Sequence, residues 1–381
     1  MTSFPKAQAQ EPFFLCYFET TRNCNLNCPY CMSRTSPSPG AKTLDTGEAK
    51  ELVLDELVKV SPNTAVAFSG GEHLLRPDAY ELLEYAAKKG LWSFVNTNGK
   101  LLVESDSVRR ALRATEGRLV FVLPINSVDP EVNRSTRNDG TATVMQAAEI
   151  CRKEGAEYFF ILTVSRDNLS TLDRTLKFLK LNRVPVLRAP FVPRGAGRDF
   201  AGLMFDCSEM RQVIHPALTA NPLAYISFTP FFASPEVIAE TWSKFGVRIS
   251  GLGCQAGRAF AAVGAEGGVV PCVQLLDSGC VCGNVREKPL SEIIGSSPVF
   301  NSLRSRSDLK GKCGRCRYKQ TCGGCRALAY YKSNDLLAED STCFFDPENE
   351  ATRSKLEELQ TANLGKFIEY IKYNRPWNEL F

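Results

Sequence analysis

Three cysteines stand close together near the start of the chain, Cys24, Cys28 and Cys31 in "ETTRNCNLNCPYCMSR". Their C-x3-C-x2-C spacing puts three thiolates in one loop, one ligand short of a tetrahedral set. Two chemistries answer that description. A zinc ion would borrow its fourth ligand from afar, and His73, one of two histidines in the chain, is the nearest. A [4Fe–4S] cluster, held by cysteine sulfur, would have three irons bound and one open. Three other short stretches have useful chemistry. "SGGE" brings Gly70, Gly71 and Glu72 together; exposed backbone carbonyls and a carboxylate suit an ammonium group. A tight glycine turn with an exposed glutamate is the plainer alternative. "NTNG" presents Asn98 to sugar hydroxyls or is simply a turn, and "NSVD" carries Ser127.

The remaining cysteines extend the pattern. There are 15 in 381 residues, and the run from Cys254 to Cys343 is rich in them. "MTSFPKAQAQEPFF" is not a signal peptide, so disulfides are not expected and the cytoplasm is the expected location. Metal ligation is the expected use. Cys254, Cys272, Cys280, Cys282, Cys313, Cys316, Cys322, Cys325 and Cys343 suffice for two four-ligand sites, of iron–sulfur or of zinc. Cys16, Cys151 and Cys207 stand alone and read as small hydrophobes. The net charge of +4 and the lack of a basic tract give no reason to expect nucleic acid. No apolar run is long enough for a membrane span.

These loops need positioning, and the periodicity supplies the elements. Strand patterns fall at 13–19, 64–69, 92–97, 118–125, 157–164 and 184–191. Helix patterns lie between them near 48–60, 78–89, 105–114, 141–154 and 171–181, with Thr46, Asp78 and Ser170 as caps. Six βα units predict an α/β fold, a partial (β/α)6 TIM barrel, with a doubly wound sheet as alternative. A small cysteine-rich iron–sulfur domain follows, read as held by metal rather than by a large core. The expected divisions are an extension at 1–12, the barrel at 13–205, a bridge at 206–250, the cysteine-rich domain at 251–346 and a helical tail at 347–381. In such barrels reactive groups collect after the C-terminal ends of strands. The cysteine loop, "SGGE", "NTNG" and "NSVD" all follow strands and so share one face.

With those residues in place, the chain resembles the radical S-adenosylmethionine superfamily: C-x3-C-x2-C with an aromatic before the last cysteine, then "GGE" after strand two. The resemblance implies that Cys24, Cys28 and Cys31 hold a [4Fe–4S] cluster whose open iron binds the amino and carboxylate groups of S-adenosylmethionine. Tyr30 would lie on the cofactor loop, Gly70, Gly71 and Glu72 would meet the methionyl ammonium, and Asn98 and Ser127 would flank the nucleoside. Reductive cleavage would give a 5′-deoxyadenosyl radical that abstracts hydrogen from substrate. One departure is "GGEHL", where the family commonly has proline after the glutamate.

The C-terminal cysteines resemble the SPASM domain, which carries auxiliary [4Fe–4S] clusters. Carried over, Cys313, Cys316, Cys322 and Cys343 form one site. Cys254, Cys272 and Cys325 form the other, with Cys280 or Cys282 as fourth ligand. "CGGC" has two residues where the family often has three. Within the superfamily, "CGNVREKPLSEI" and "LAEDSTC" resemble enzymes of alternative haem and haem d1 synthesis, and the mycofactocin maturase. The resemblance implies three clusters and an oxidation whose electron passes to the auxiliary clusters. The substrate would be a carboxylated tetrapyrrole or other small molecule, or alternatively a ribosomal peptide, with ferredoxin or flavodoxin as low-potential donor. Arg188, Arg194 and Arg198 are candidates for a substrate carboxylate, or are plain surface arginines. A non-catalytic iron–sulfur or zinc protein is the rival of another class.

Overall fold

The computed structural model describes residues 13–33, 42–182, 184, 186–220, 229–245, 253–346 and 353–373. The 1–12 extension, parts of the bridge and both ends of the tail lie outside these residues.

Six strands alternate with helices, as the periodicity predicts. They are β1 (Phe14–Thr21), β2 (Thr64–Gly70), β3 (Trp92–Asn96), β4 (Leu119–Pro124), β5 (Glu157–Val164) and β6 (Val186–Pro190). Each pairs in parallel with the next, in the order β6-β5-β4-β3-β2-β1. That sequential order is a partial barrel; a doubly wound sheet would reverse direction from an inner strand. Two of the expected caps are placed differently. Asp45, not Thr46, closes a capping box with Glu48, and Ser165 with Asn168 precedes the Leu169–Leu181 helix in place of Ser170.

The sheet has two apolar faces, the mark of a covered parallel sheet. On one, Val66, Phe68, Val95, Phe121, Leu123 and Phe160 join the main core. On the other, Ala65, Ala67, Phe94, Val120, Val122 and Phe159 form a second cluster.

The cysteine-rich region departs from the expectation of a module held by metal. Its strand β7 (Phe260–Val263) pairs in parallel with β1, matching Leu15 to Phe260 and Phe18 to Val263. β8 (Gly268–Val270) and β9 (Gly283–Asn284) continue antiparallel, giving nine strands. Ala261, Val263, Leu275, Ile293 and Phe300 are buried in the same core as the barrel helices. The physical reason is the edge of β1: its unpaired backbone groups and apolar side chains need a partner strand. The helix Arg353–Tyr373 closes over this region; the Glu357 carboxylate there accepts from the Tyr318 hydroxyl at 2.7 Å.

Candidate active site

The end of β1 leads directly into the cysteine loop, and the glycine pair fixes where that loop lies. The Gly71 N–H donates to the Thr21 carbonyl at 2.7 Å, and the Glu72 N–H donates to the Asn23 carbonyl at 2.8 Å. A Cβ on Gly70 would sit 2.2 Å from the Thr21 carbonyl oxygen, and one on Gly71 2.0 Å from that of Asn23. Gly70 also has φ of +114°, which only glycine adopts readily. The "GG" pair is thus required for the cysteine loop to rest on β2.

Glu72 braces the next loop. Its buried carboxylate accepts from the Asn98 N–H at 2.8 Å, the Thr97 hydroxyl at 3.1 Å and the Leu74 N–H at 3.4 Å. Burial nevertheless pushes its pKa up to about 7. Asn98 in turn donates to the Asn25 side chain at 2.7 Å and approaches the Cys24 sulfur at 3.9 Å. The first three strand-end loops therefore form one bonded frame.

At their centre is a cavity of about 220 Å³ lined by Cys24, Cys28, Cys31, Tyr30, Gly70, Gly71, Asn98 and Arg137. Apolar walls come from Val122, Ile161, Phe191 and Val192, and Val273 and Gln274 of the cysteine-rich region complete it. Tyr30 is edge-on to Phe191 at 5.2 Å. The three thiols are the only cysteines lining this cavity among the described residues, and no histidine or carboxylate does. Three soft donors beside open space fit a cluster with one free iron. His73 does not join them: it stacks on Phe68 at 4.7 Å, and its Nδ1 is 2.8 Å from the Thr20 hydroxyl. Its burial in the core, where the family commonly has proline, leaves the glycine turn intact.

Three sequence expectations change at this point. Glu72 is fully buried and does not line the cavity; its carboxylate is taken up by Leu74, Thr97 and Asn98. Ser127 is fully buried and does not line the cavity; its hydroxyl bonds Thr171 at 2.8 Å, and the neighbouring Asn126 reaches the cavity. Successive residues leaving a strand point opposite ways, so a one-residue offset exchanges them. Arg194 is no free carboxylate ligand. It is 1% exposed and bonds Glu19 and Asp277, each at 3.0 Å. Arg188 is buried and donates to the Val186 carbonyl, while Arg198 donates to the Asp277 carbonyl at 3.4 Å. Sequence reasoning missed Arg137 and Asn126; both follow β4, which was the available signal.

A second cavity is lined by Cys313, Cys316, Cys322 and Cys343, the four cysteines grouped from the sequence. Hydrogen bonds converge on its sulfurs from the Phe231 N–H to Cys322 at 3.2 Å, the Asp340 N–H to Cys313 at 3.4 Å and the Arg326 guanidinium to Cys313 at 3.7 Å. Burial raises all four thiol pKa values, that of Cys322 to about 12. Cys254, Cys272 and Cys325 also meet: burial first, then the neighbouring thiols, raises the pKa of Cys272 and Cys325. Burial raises the thiol pKa of both Cys280 and Cys282, against the lowering effect of Ser278 and Tyr330 on the first and of Ser297 on the second; the structure singles out neither as the fourth ligand. No three metal-binding side chains converge on a point for one ion among the described residues. Cys16 and Cys151 are buried in the core, and Cys207 is half-buried with its thiol on the Cys343 carbonyl.

A half-barrel with three thiols over a glycine pair, followed by a cysteine-rich domain, defines a radical S-adenosylmethionine enzyme with auxiliary iron–sulfur sites. The chain belongs to that superfamily: the Radical SAM superfamily model matches residues 18–179, and the SPASM iron–sulfur cluster-binding domain model matches 254–325. It is 32% identical over 342 residues to the AdoMet-dependent heme synthase of Methanosarcina barkeri, covering 87% of this chain and 96% of that protein. It is 26% identical over 331 residues to mycofactocin maturase MftC of Mycobacterium ulcerans, covering 86% of each. Its fold matches the solved structure of native anSMEcpe with bound AdoMet, with a TM-score of 0.65 at 18% identity, covering 95% of this chain and 100% of that one. The protein is an enzyme that uses S-adenosylmethionine and [4Fe–4S] clusters. No helix among the described residues is long and apolar enough to cross a membrane.

Proposed function

We propose that the enzyme oxidatively modifies a carboxylated tetrapyrrole. The observation that carries this reading is the 32% identity to a heme synthase across nearly all of that protein's length, against 26% to a peptide maturase. A cavity with apolar walls and one charged side chain among its described lining residues, Arg137, suits an apolar ring bearing carboxylates.

In this reading Cys24, Cys28 and Cys31 hold the first cluster. Bound there, the cluster supplies the electron that cleaves S-adenosylmethionine and releases the hydrogen-abstracting radical. Gly70 and Gly71 present backbone to the methionyl ammonium, and Glu72 holds the Asn98 loop against the nucleoside. Arg137 pairs with a carboxylate. Tyr30, Phe191 and Val192 exclude water that would quench a radical. A substrate radical that gives up one electron becomes a cation, which sheds a proton or carbon dioxide. Cys313, Cys316, Cys322 and Cys343, with Cys254, Cys272 and Cys325, would hold two further clusters, which would supply one-electron acceptors. Ferredoxin or flavodoxin is the proposed donor, and a chain with 15 cysteines, most of them proposed as cluster ligands, suits the reducing cytoplasm.

The test is anaerobic turnover of the reconstituted, reduced enzyme with Fe-coproporphyrin III or a short ribosomal peptide. The expected result is 5′-deoxyadenosine together with mass loss from the tetrapyrrole. Modification of the peptide alone would replace this reading with peptide maturation, which the resemblance to mycofactocin maturase favours.

A further inference from the structure

One short segment touches both cluster-bearing regions. The Ala196 N–H donates to the Cys31 carbonyl at 3.1 Å, and a Cβ on Gly195 would lie 2.6 Å from that same oxygen. Two residues earlier, Arg194 reaches the other way and donates to the Val273 carbonyl, next to Cys272, at 3.0 Å. Its remaining bonds run to Glu19 at the end of β1 and to Asp277, both at 3.0 Å. Ser33, closing the cysteine loop, donates to the same Glu19 oxygen at 2.9 Å. Arg22, within the loop, bonds Asp277 at 3.0 Å and Glu266 at 3.1 Å.

Such a network is costly to bury, since a guanidinium and a carboxylate each 1% exposed lose their hydration. An apolar pair would fill the space at lower cost. What it supplies that an apolar pair cannot is a fixed positive charge and a directional hold on two loops. The first strand of the barrel, the cysteine loop and the Val273–Asp277 stretch are locked to one another through a single side chain. Reduction potentials of iron–sulfur sites respond to nearby charge and hydrogen bonding. A cation beside a ligand cysteine stabilises the reduced, more negative cluster.

We propose that Arg194 is a positioning residue: it ties the loop bearing Cys31 to the loop bearing Cys272, and its charge makes the cluster at Cys272 the easier one to reduce. The proposal rests on Cys254, Cys272 and Cys325 being ligands of an auxiliary cluster. Glu19 and Asp277 oppose the effect with their negative charge, and Arg22, Arg198 and Glu266 complete the set of charges around them.

The test is an anaerobic redox titration followed by electron paramagnetic resonance, with iron counted in each sample. It is run in a Cys24→Ala, Cys28→Ala, Cys31→Ala background so that the first cluster is silent. Arg194→Met is expected to lower the potential of the auxiliary signal that Cys272→Ala removes, raising its oxidised-to-reduced ratio at fixed potential several-fold, with iron content and the other auxiliary signal unchanged. Arg194→Lys, which keeps the charge, restores most of the shift. Asp277→Asn, a change of near-equal shape, shifts the ratio the opposite way and decides the matter if Arg194→Met fails to fold. An unmoved potential in Asp277→Asn, or equal shifts in the Met and Lys variants, would overturn the proposal. Loss of iron on Cys272→Ala is the separate check on the ligand set: if that variant keeps its full iron, the cluster assignment fails and not the role of Arg194 alone.

Discussion

Glu72 shows how one side chain serves both the fold and the chemistry. Its pKa near 7 arises from burial, which outweighs the three hydrogen bonds its carboxylate accepts. The folded state therefore favours the protonated form. The stability this group contributes is full below the ordinary value of 4.5 and is lost as pH rises through about 7. In Glu72→Gln that loss is absent: measured by denaturant unfolding without S-adenosylmethionine, the variant should gain on the parent between pH 5 and 8, by on the order of 3 kcal/mol at most. A pH-independent difference would refute the shift. Binding of S-adenosylmethionine by the variant should be largely kept, because Glu72 does not line the cavity and the glutamine oxygen still accepts from the Asn98 N–H. The neighbouring glycine makes a steric prediction. Gly71→Ala drives a Cβ into the Asn23 carbonyl, and should cost about 1–3 kcal/mol and most of the first cluster's iron. Gly202→Ala, with open space around it, is the neutral control. The motif "GGE" was legible as a short unbroken pattern at a strand end, although its glycines answer a close approach to Thr21 and Asn23 far off in the sequence. The alternation at Asn126 and Ser127 was not, because which residue faces inward depends on where β4 stops. The burial of Arg194 was equally invisible, since its partners Glu19 and Asp277 are 175 and 83 residues away.

At the scale of elements, the six parallel strands could be read directly, because each is a compact β-rich run between helical patterns. β7 could not. It is four residues long, in a Gly-rich stretch, and its partner β1 lies at the far end of the chain. Propensity says little about so short a strand; pairing makes it one. This pairing predicts that residues 1–253 alone do not form a well-behaved barrel. That fragment leaves β1 as an open edge and uncovers the core surface that Ala261 and Val263 cover in the full chain. It should partition into the insoluble fraction, whereas the full chain stays in solution; a soluble, monomeric fragment would contradict this.

Across the whole molecule, the cysteines predict three sites of four irons, or about twelve irons per chain. Cys28→Ala should retain about eight and make no 5′-deoxyadenosine; undiminished production in that variant would refute the ligand assignment. Cys316→Ala should also retain about eight but still cleave S-adenosylmethionine, because its site stands apart from the cavity that holds Cys28. The contrast separates the radical-forming site from the electron-accepting one without knowledge of the substrate.

The place of β1 in the sheet also sets a timetable for synthesis. Its last residue is Thr21, while β7 ends at Val263. At about 5–20 residues per second, the ribosome needs roughly ten to fifty seconds to deliver the strand that covers β1. Throughout that interval the nascent barrel exposes an apolar edge and a thiol-rich loop side by side. A cell that makes this enzyme must shield the one from aggregation and the other from oxygen before either has its partner.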